Sequence, residues 1–200
     1  MSEDLYSQLC NQQSLINAWE KVREKGSAGG IDKITVEIFE KDLDKNLNVL
    51  LEQLITCRYI PEPYHEIKIP KDENEFRSLS LPTIKDKIVQ QAVKDIIEPI
   101  LCKDFLDCSY AYRENKGPVK AINRVMHLIN NEKRGWVTLC DIDKYFDNVD
   151  HDLLFSMLAE KINDEKLLFL IHLWIKMGKV DSKMIWKDTS ITVFSYIFNS

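Results

Sequence analysis

The chain has 200 residues, 44% of them hydrophobic and 30% charged, with a net charge of −5. This composition is typical of a globular domain, and no run approaches the roughly 20 apolar residues of a membrane span. The acidic start MSEDLYSQLC differs from a secretory signal, and five scattered cysteines without a C-x-x-C pair argue against a zinc knuckle or a disulfide framework. We therefore expect a cytoplasmic protein with reduced thiols.

The net negative charge argues against nucleic-acid binding, but the charge is unevenly distributed. Residues 1–57 carry 6 basic and 10 acidic side chains, and residues 125–200 carry 9 and 11. Residues 58–124 carry 12 basic and 11 acidic side chains. Any bound phosphate is therefore expected at this middle part of the chain.

Helices are predicted first in the chain. Apolar residues at helical spacing predict a helix over residues 4–25, and the glycine-rich sequence GSAGGID (26–32) ends it. Thr35 is typical of a helix N-cap, and the apolar stripe after it predicts a second long helix to about Cys57.

A hairpin and another helix follow. After a turn at 58–63, two alternating segments, EIKIP (66–70) and FRSLSLP (76–82), predict strands that are joined by a charged, solvated tip. Pro82-Thr83 then begins a helix whose apolar face continues until a kink or end at Pro99.

The next part alternates helices with other segments. A polar and aromatic loop is predicted at 109–118, a helix at 119–131, and a buried strand at WVTLCDI (136–142). Two further helices are predicted at about 150–161 and 164–177.

Residues 178–200 give no clear pattern, although ITVFSYIF (191–198) has strand propensity. Helices thus come first, then a hairpin, then helices, then a core strand that ends in acidic residues. This order indicates the α+β class, with a helical scaffold around short sheets.

An acidic cluster begins where the predicted core strand ends. Asp141 is followed within eleven residues by Asp143, Asp147, Asp150 and Asp152. A carboxylate at the exit of a buried strand is costly unless it is hydrogen-bonded, caps a helix or binds a cation. Mg²⁺ prefers oxygen ligands of this kind, and two such ions support in-line phosphoryl transfer.

Each aspartate also has a structural interpretation. Asp150 is placed as a helix N-cap, and Asp152 would complement the helix dipole in the first turn. Asp147 could begin a turn, and Asp143 could share the strand face of Asp141 or be solvated. On chemical grounds Asp141 is either a metal ligand or a hydrogen-bonded turn residue.

The segment LCDIDKYFDNVDHDLL (139–154) resembles the first catalytic motif of group II intron-type bacterial reverse transcriptases. In that family an aspartate ending a palm strand is followed by Ile, a variable pair, two aromatics, Asp, Asn, an aliphatic residue, Asp and His. Three earlier blocks are similar to the family in the same order: SAGGID (27–32), IPKDENEFRSLSLPTIKDKIVQQAV (69–93) and FLDCSYAYRENKGPVKAI (105–122). Four ordered matches make the resemblance specific.

The resemblance implies part of an RNA-directed DNA polymerase with the right-hand fold. Residues 1–57 would form a helical N-terminal region, residues 58–132 the fingers, and residues 133–200 an incomplete palm. The intact enzyme would add nucleotides from dNTPs to the 3′-OH of a DNA primer on an RNA template, using two Mg²⁺ ions.

The resemblance also implies roles for individual residues. Asp141 would bind the catalytic Mg²⁺ with help from the carbonyl of Ile142. Lys71 and Arg77 align with the basic pair that grips the triphosphate, and an arginine forms bidentate phosphate contacts. Phe146 aligns with the aromatic residue that packs under the incoming sugar and disfavours a 2′-hydroxyl.

Three more residues are candidates for nucleic-acid binding. Gln90 and Arg113 match positions near the template and the nucleotide, and Arg58 lies at the start of the fingers. The structural alternatives are a polar position on a helix surface for Gln90, an ion pair within a loop for Arg113, and a solvated tip lysine for Lys71.

The chain departs from the family pattern after residue 177. Residues 178–200 contain neither the Pro-Gln-Gly and Ser-Pro block nor the aromatic-Ala-Asp-Asp hairpin that carries the remaining catalytic aspartates. Arg77-Ser78-Leu79 also stands where the family has Arg-Pro-Leu. We therefore expect a fragment that is inactive alone, with a non-catalytic RNA- or partner-binding module, able to dimerise, or a degenerate remnant as alternatives. Intron maturases and CRISPR-associated, retron and phage-defence enzymes share these front motifs.

Overall fold

Two pairs of short helices occupy the places of the two long helices predicted at the N-terminus. The computed structural model describes residues 4–70, 76–113, 115–142, 145–177, 179–181 and 186–187. Helices α1 (Leu5–Leu9) and α2 (Gln12–Glu24) form the first pair, and α3 (Val36–Lys41) and α4 (Leu43–Ile55) form the second.

A polar residue with a short side chain stands at each break. The Oδ1 atom of Asn11 accepts a hydrogen bond of 2.8 Å from the backbone N–H of Gln13, so Asn11 begins a new helix instead of continuing the first one. Asp42 leaves the helical region of the backbone, with φ −123° and ψ 40°. The apolar stripes continue across both breaks, and the predicted helices were therefore too long.

The predicted hairpin is confirmed. Strands β1 (Tyr64–Pro70) and β2 (Phe76–Leu81) are antiparallel, with Glu66 opposite Ser80 and Ile69 opposite Arg77. Glu66 and Ser80 are buried, so one face of the hairpin root packs inward.

Two further strands extend the hairpin into a sheet. β3 (Lys179–Asp181) pairs in parallel with β1, and β4 (Trp186–Lys187) pairs antiparallel with β3. The order in the sheet is β2-β1-β3-β4. The segment ITVFSYIF (191–198), for which strand propensity was noted, lies outside the described residues.

Helix α5 (Ile84–Leu101) passes through the hydrophobic core. The Thr83 side chain caps it by accepting a hydrogen bond from the N–H of Asp86. The helix continues two residues past Pro99, where only the last turn is affected by the missing N–H. Its apolar residues pack with buried side chains from α1, α2, α4 and α8, among them Leu9, Trp19, Leu54 and Trp174.

The remaining helices agree with the sequence pattern. They are α6 (Pro118–Asn130), α7 (His151–Lys161) and α8 (Glu165–Lys176). Asp164, the N-cap of α8, also accepts a 2.7 Å hydrogen bond from the N–H of Tyr6, which joins α8 to α1. Among the described residues, no helix is both long enough and apolar enough to cross a bilayer.

The predicted buried strand at 136–142 is wrong for this structure. The segment has no regular secondary structure, and Trp136 and Leu139 are each 95% exposed. A strand must exchange backbone hydrogen bonds with a neighbour, and none of the described strands lies beside this segment. Helix α6 likewise buries none of its apolar residues, so the apolar pattern of 118–142 lacks a described partner surface.

Gly30 gives a test of the packing between the glycine-rich sequence and α5. A Cβ atom at Gly30 would lie 2.6 Å from the backbone N of Thr83, whereas one at Gly135 would meet nothing within 4 Å. We expect Gly30→Ala to lower the melting temperature by roughly 3–10 °C, because backbone cannot yield as a side chain can. Gly135→Ala is the control and should be nearly neutral. Equal melting temperatures for both variants would contradict this packing.

Candidate nucleotide and nucleic-acid site

Asp141 lies on the surface at the end of the 136–142 segment. Both Asp141 and Ile142 are exposed, and Ile142 is 68% exposed. The Oδ1 atom of Asp141 accepts a hydrogen bond of 3.0 Å from the N–H of Ile142, the next residue. No other described residue forms a hydrogen bond with this exposed carboxylate.

Two of the neighbouring aspartates have structural roles. The Oδ1 atom of Asp150 accepts hydrogen bonds from the N–H groups of Asp152 and Leu153, at 2.9 and 3.0 Å. These bonds lower the pKa of Asp150 and confirm that it is the N-cap of α7. Asp152 lies in the first turn, 3.6 Å from the Nζ atom of Lys176.

The described residues alone do not form a two-metal site. Asp143 lies outside them, and Asp147 is described only in its backbone. Within the described ranges, no three His, Cys, Asp or Glu side chains come together as metal ligands. Asp141 and the Ile142 carbonyl are thus the described candidate ligands, and two metals that share ligands need more.

The hairpin presents Arg77 to solvent. Arg77 lies on β2 opposite Ile69, and its guanidinium forms no hydrogen bond or ion pair with another described residue. Lys71, its predicted partner, lies outside the described residues. Arg58 is also exposed, in the turn before the hairpin.

Gln90 is in the interior and not on a helix surface. Its side chain is 3% exposed, and its Nε2 atom donates a hydrogen bond of 3.2 Å to the hydroxyl of Tyr64. The structural alternative of a surface polar residue is therefore wrong. A direct contact of Gln90 with nucleic acid stays a prediction, and it would require the side chain to become accessible.

Arg113 organises its own loop. Its guanidinium donates hydrogen bonds to the carbonyls of Leu106 and Ser109, at 2.9 and 3.1 Å. It also lies over the ring of Phe105, 5.4 Å from the centroid. Among the described residues, Arg113 contacts carbonyls and a ring and forms no ion pair, and a nucleotide contact stays a prediction.

An open apolar cavity lies between two of the sequence motifs. It has a volume of about 750 Å³ and is lined by Phe105 and Tyr112 from one motif, Tyr145 from the other, and Leu154 and Leu158 of α7. Phe146, the predicted sugar-packing residue, belongs to the adjacent 3₁₀ turn Tyr145–Asn148, but its side chain is not described. The structure thus brings the loop of Arg113 near the turn of Phe146.

Comparison with known proteins decides the family. The model of the family "Reverse transcriptase (RNA-dependent DNA polymerase)" matches residues 69–194, which is more than half of the chain. The chain belongs to this family. The matched range contains Arg77, Gln90, Arg113 and Asp141, and it omits the glycine-rich sequence at 27–32.

Relatives support the group II intron type within the reverse transcriptases. The chain is 33% identical over 155 residues to Protein YkfC of Escherichia coli, covering 76% of this chain and 41% of YkfC. It is 30% identical over 152 residues to the group II intron-encoded protein LtrA of Lactococcus lactis, covering 74% of this chain and 25% of LtrA. The resemblance seen in the sequence motifs is confirmed. The chain spans less than half the length of these relatives.

A solved structure supports the fold of this reverse transcriptase-family chain. A partial Cas6-RT-Cas1–Cas2 complex superimposes with a TM-score of 0.60 and 18% identity, covering 99% of this chain and 34% of that one. At this identity the likeness shows the fold alone. It agrees with the α+β class predicted from the sequence.

Sequence reasoning missed the buried polar residues of α5. Asp86 is 1% exposed, and its carboxylate accepts hydrogen bonds from the hydroxyls of Tyr59 and Thr83, at 2.6 and 2.7 Å, and from the N–H of Glu62 at 3.1 Å. Burial nevertheless raises the pKa of Asp86 above its ordinary value.

Lys87 is a second such residue. It is 2% exposed and donates a hydrogen bond to the carbonyl of Ala28 in the glycine-rich sequence. Burial lowers the pKa of Lys87 to about 8, against the opposing attraction of Asp32. One signal was available in the sequence, because TIKDKIVQQAV places charged and amide residues among the apolar positions of a core helix.

Proposed function

We propose that the chain provides the fingers and the first palm segment of an RNA-directed DNA polymerase. Residues 1–57 would form the helical N-terminal region, residues 58–132 the fingers, and residues 133–200 a partial palm. The exposed carboxylate of Asp141, within the range that matches the family, is the observation that carries the proposal. A cytoplasmic location belongs to the same proposal.

Phosphate binding is proposed for the hairpin. Arg77 has a planar guanidinium that can bind two phosphate oxygens at once, and its exposure leaves these donors available. Lys71 would add a second charge at the tip. Together they would hold the triphosphate of an incoming dNTP.

The segment around Asp141 would bind the reacting end of the nucleotide. Asp141, with the Ile142 carbonyl, would hold Mg²⁺, which when bound neutralises charge on the phosphate oxygens. Phe146 would pack under the sugar. The RNA template and the DNA primer would be bound with the help of Gln90, Arg113 and Arg58. These residues would either contact the nucleic acid or hold the segments that contact it.

The chain alone is not expected to extend a primer, because Asp141 is the only candidate catalytic aspartate among the described residues and two metal ions that share ligands need more than one. The measurement is incorporation of dNTPs on an RNA template with a DNA primer and Mg²⁺, with an intact group II intron-encoded enzyme as the positive control. Mg²⁺-dependent extension by the purified chain that disappears in Asp141→Asn would contradict this proposal.

A non-catalytic RNA-binding role is the second candidate, because exposed Arg58 and Arg77 could bind phosphates without a metal. A partner-binding role is a further non-catalytic possibility. The chain could self-associate through the exposed apolar face of α6, which includes Val119, Ile122 and Met126. RNA binding and its dependence on salt separate the RNA-binding role from that of a degenerate remnant without activity, and the oligomeric state in solution does so for self-association.

Binding of a labelled single-stranded RNA should weaken roughly tenfold between 50 and 200 mM salt if two or three phosphates are contacted. Arg77→Ala should reduce the slope of log affinity against log salt by about 0.7, because one phosphate contact is lost. Arg23→Ala is a matched control, since Arg23 is exposed but pairs with Glu40 at 3.4 Å. Absence of binding at low salt would exclude the RNA-binding role and leave the self-associating module or the degenerate remnant.

A further inference from the structure

Helix α5 carries an unusual row of buried polar side chains. The row consists of the cap residue Thr83 and four residues of the helix, each at most 7% exposed: Asp86, Lys87, Gln90 and Gln91. A core helix normally buries apolar residues, and buried polar groups persist where they hold specific partners. Four of these side chains contact other segments of the chain, and Thr83 bonds Asp86 within the helix start. The row therefore connects α5 to several parts of the chain.

Two residues of the row hold the root of the β1–β2 hairpin. Asp86 binds Tyr59 and the N–H of Glu62, just before β1 begins. Gln90, one helical turn further along α5, binds the hydroxyl of Tyr64, the first residue of β1. Tyr64 is itself 2% exposed, and burial raises its pKa far above the ordinary value, which keeps the hydroxyl protonated.

A small rotation of the hairpin about its root moves residues far from the root, such as Arg77, by a large distance. Arg77 lies opposite Ile69, five residues along β1 from Tyr64, which is a distance of about 17 Å. A rotation of roughly 10° at the root would therefore move Arg77 by about 3 Å, and a displacement of 1 Å can already impair positioning. The anchoring contacts at the root thus determine where the guanidinium is presented.

We propose that Gln90 is a positioning residue for phosphate binding: through Tyr64 it holds the hairpin on α5 and so places Arg77, without touching the ligand. This assignment rests on the proposed role of Arg77 in binding phosphate. It differs from the direct contact that the sequence resemblance implies for Gln90. Because only 3% of Gln90 is exposed, an effect transmitted through the hairpin is the simpler physical route.

Four substitutions in the full chain test the proposal. Gln90→Met and Tyr64→Phe each remove one side of the buried contact with little change in volume, and Arg77→Ala removes the proposed phosphate donor. Tyr6→Phe is the matched control, because the Tyr6 hydroxyl donates a buried 2.9 Å hydrogen bond to the Leu54 carbonyl elsewhere in the core. The probe is inorganic tripolyphosphate, titrated while backbone amide NMR signals are followed.

Gln90→Met and Tyr64→Phe should each weaken tripolyphosphate binding roughly three- to tenfold, whereas Tyr6→Phe should change it less than about twofold. In the Arg77→Ala background, Gln90→Met should cause a clearly smaller loss, because only its effect on Lys71, the second proposed phosphate donor, then remains. An undiminished loss in that background would show a direct contact of Gln90 with the ligand and overturn the proposal. Unchanged binding by Gln90→Met alone would also overturn it.

The proposed function can fail separately. If the wild-type chain does not bind tripolyphosphate, the proposed phosphate binding by Arg77 is wrong. Hydrogen exchange of the hairpin amides then tests whether Gln90 anchors the hairpin. Gln90→Met should then speed exchange of β1 and β2 amides about tenfold relative to Tyr6→Phe, because the root is released. Equal exchange in the two variants would overturn the positioning role.

Discussion

The buried carboxylate of Asp86 is the interaction on which the arrangement of the described structure depends. It joins the cap of α5, the turn at 58–63 and the chain that enters β1, through the hydroxyls of Thr83 and Tyr59 and the N–H of Glu62. Removing a carboxylate from water is costly. The three donors offset that cost only when they are placed so that all of them can donate to the Asp86 carboxylate. The direction in which the hairpin leaves the core is therefore fixed by hydrogen bonds as well as by packing.

Other contacts extend this arrangement to the rest of the sheet and to the N-terminal part. β1 carries β2 on one edge and β3 on the other, so the position of β1 determines that of the sheet. Lys87 holds the carbonyl of Ala28, and Gly30 packs against the backbone of Thr83. The glycine-rich sequence therefore serves in this structure as a close contact with the first turn of α5.

The sequence predicted elements whose determinants are local. The hairpin, α6, α7 and α8 follow from periodicity, caps and turn residues, and they were predicted almost at their observed bounds. The breaks at Asn11 and Asp42 were missed because apolar periodicity continues across them. The strand at 136–142 was wrong because an apolar run predicts burial, while a strand also needs a neighbour that the described structure does not supply.

Those features of the candidate site that depend on sequence motifs could be predicted. The family and the group II intron type followed from four ordered blocks, and the comparisons confirmed both. The buried state of Gln90 could not be predicted, because it depends on how the hairpin lies on α5. The same holds for Arg113, whose loop contacts with Leu106 and Ser109 depend on the folded geometry.

A double-mutant cycle of Asp86→Asn and Tyr59→Phe tests the central role of Asp86 most directly. The free energy of unfolding is measured for the wild type, both single variants and the double variant. A hydrogen bond to a buried carboxylate predicts a coupling energy of about 1.5–3 kcal/mol between the two sites. Additive effects, with a coupling energy near zero, would contradict the account.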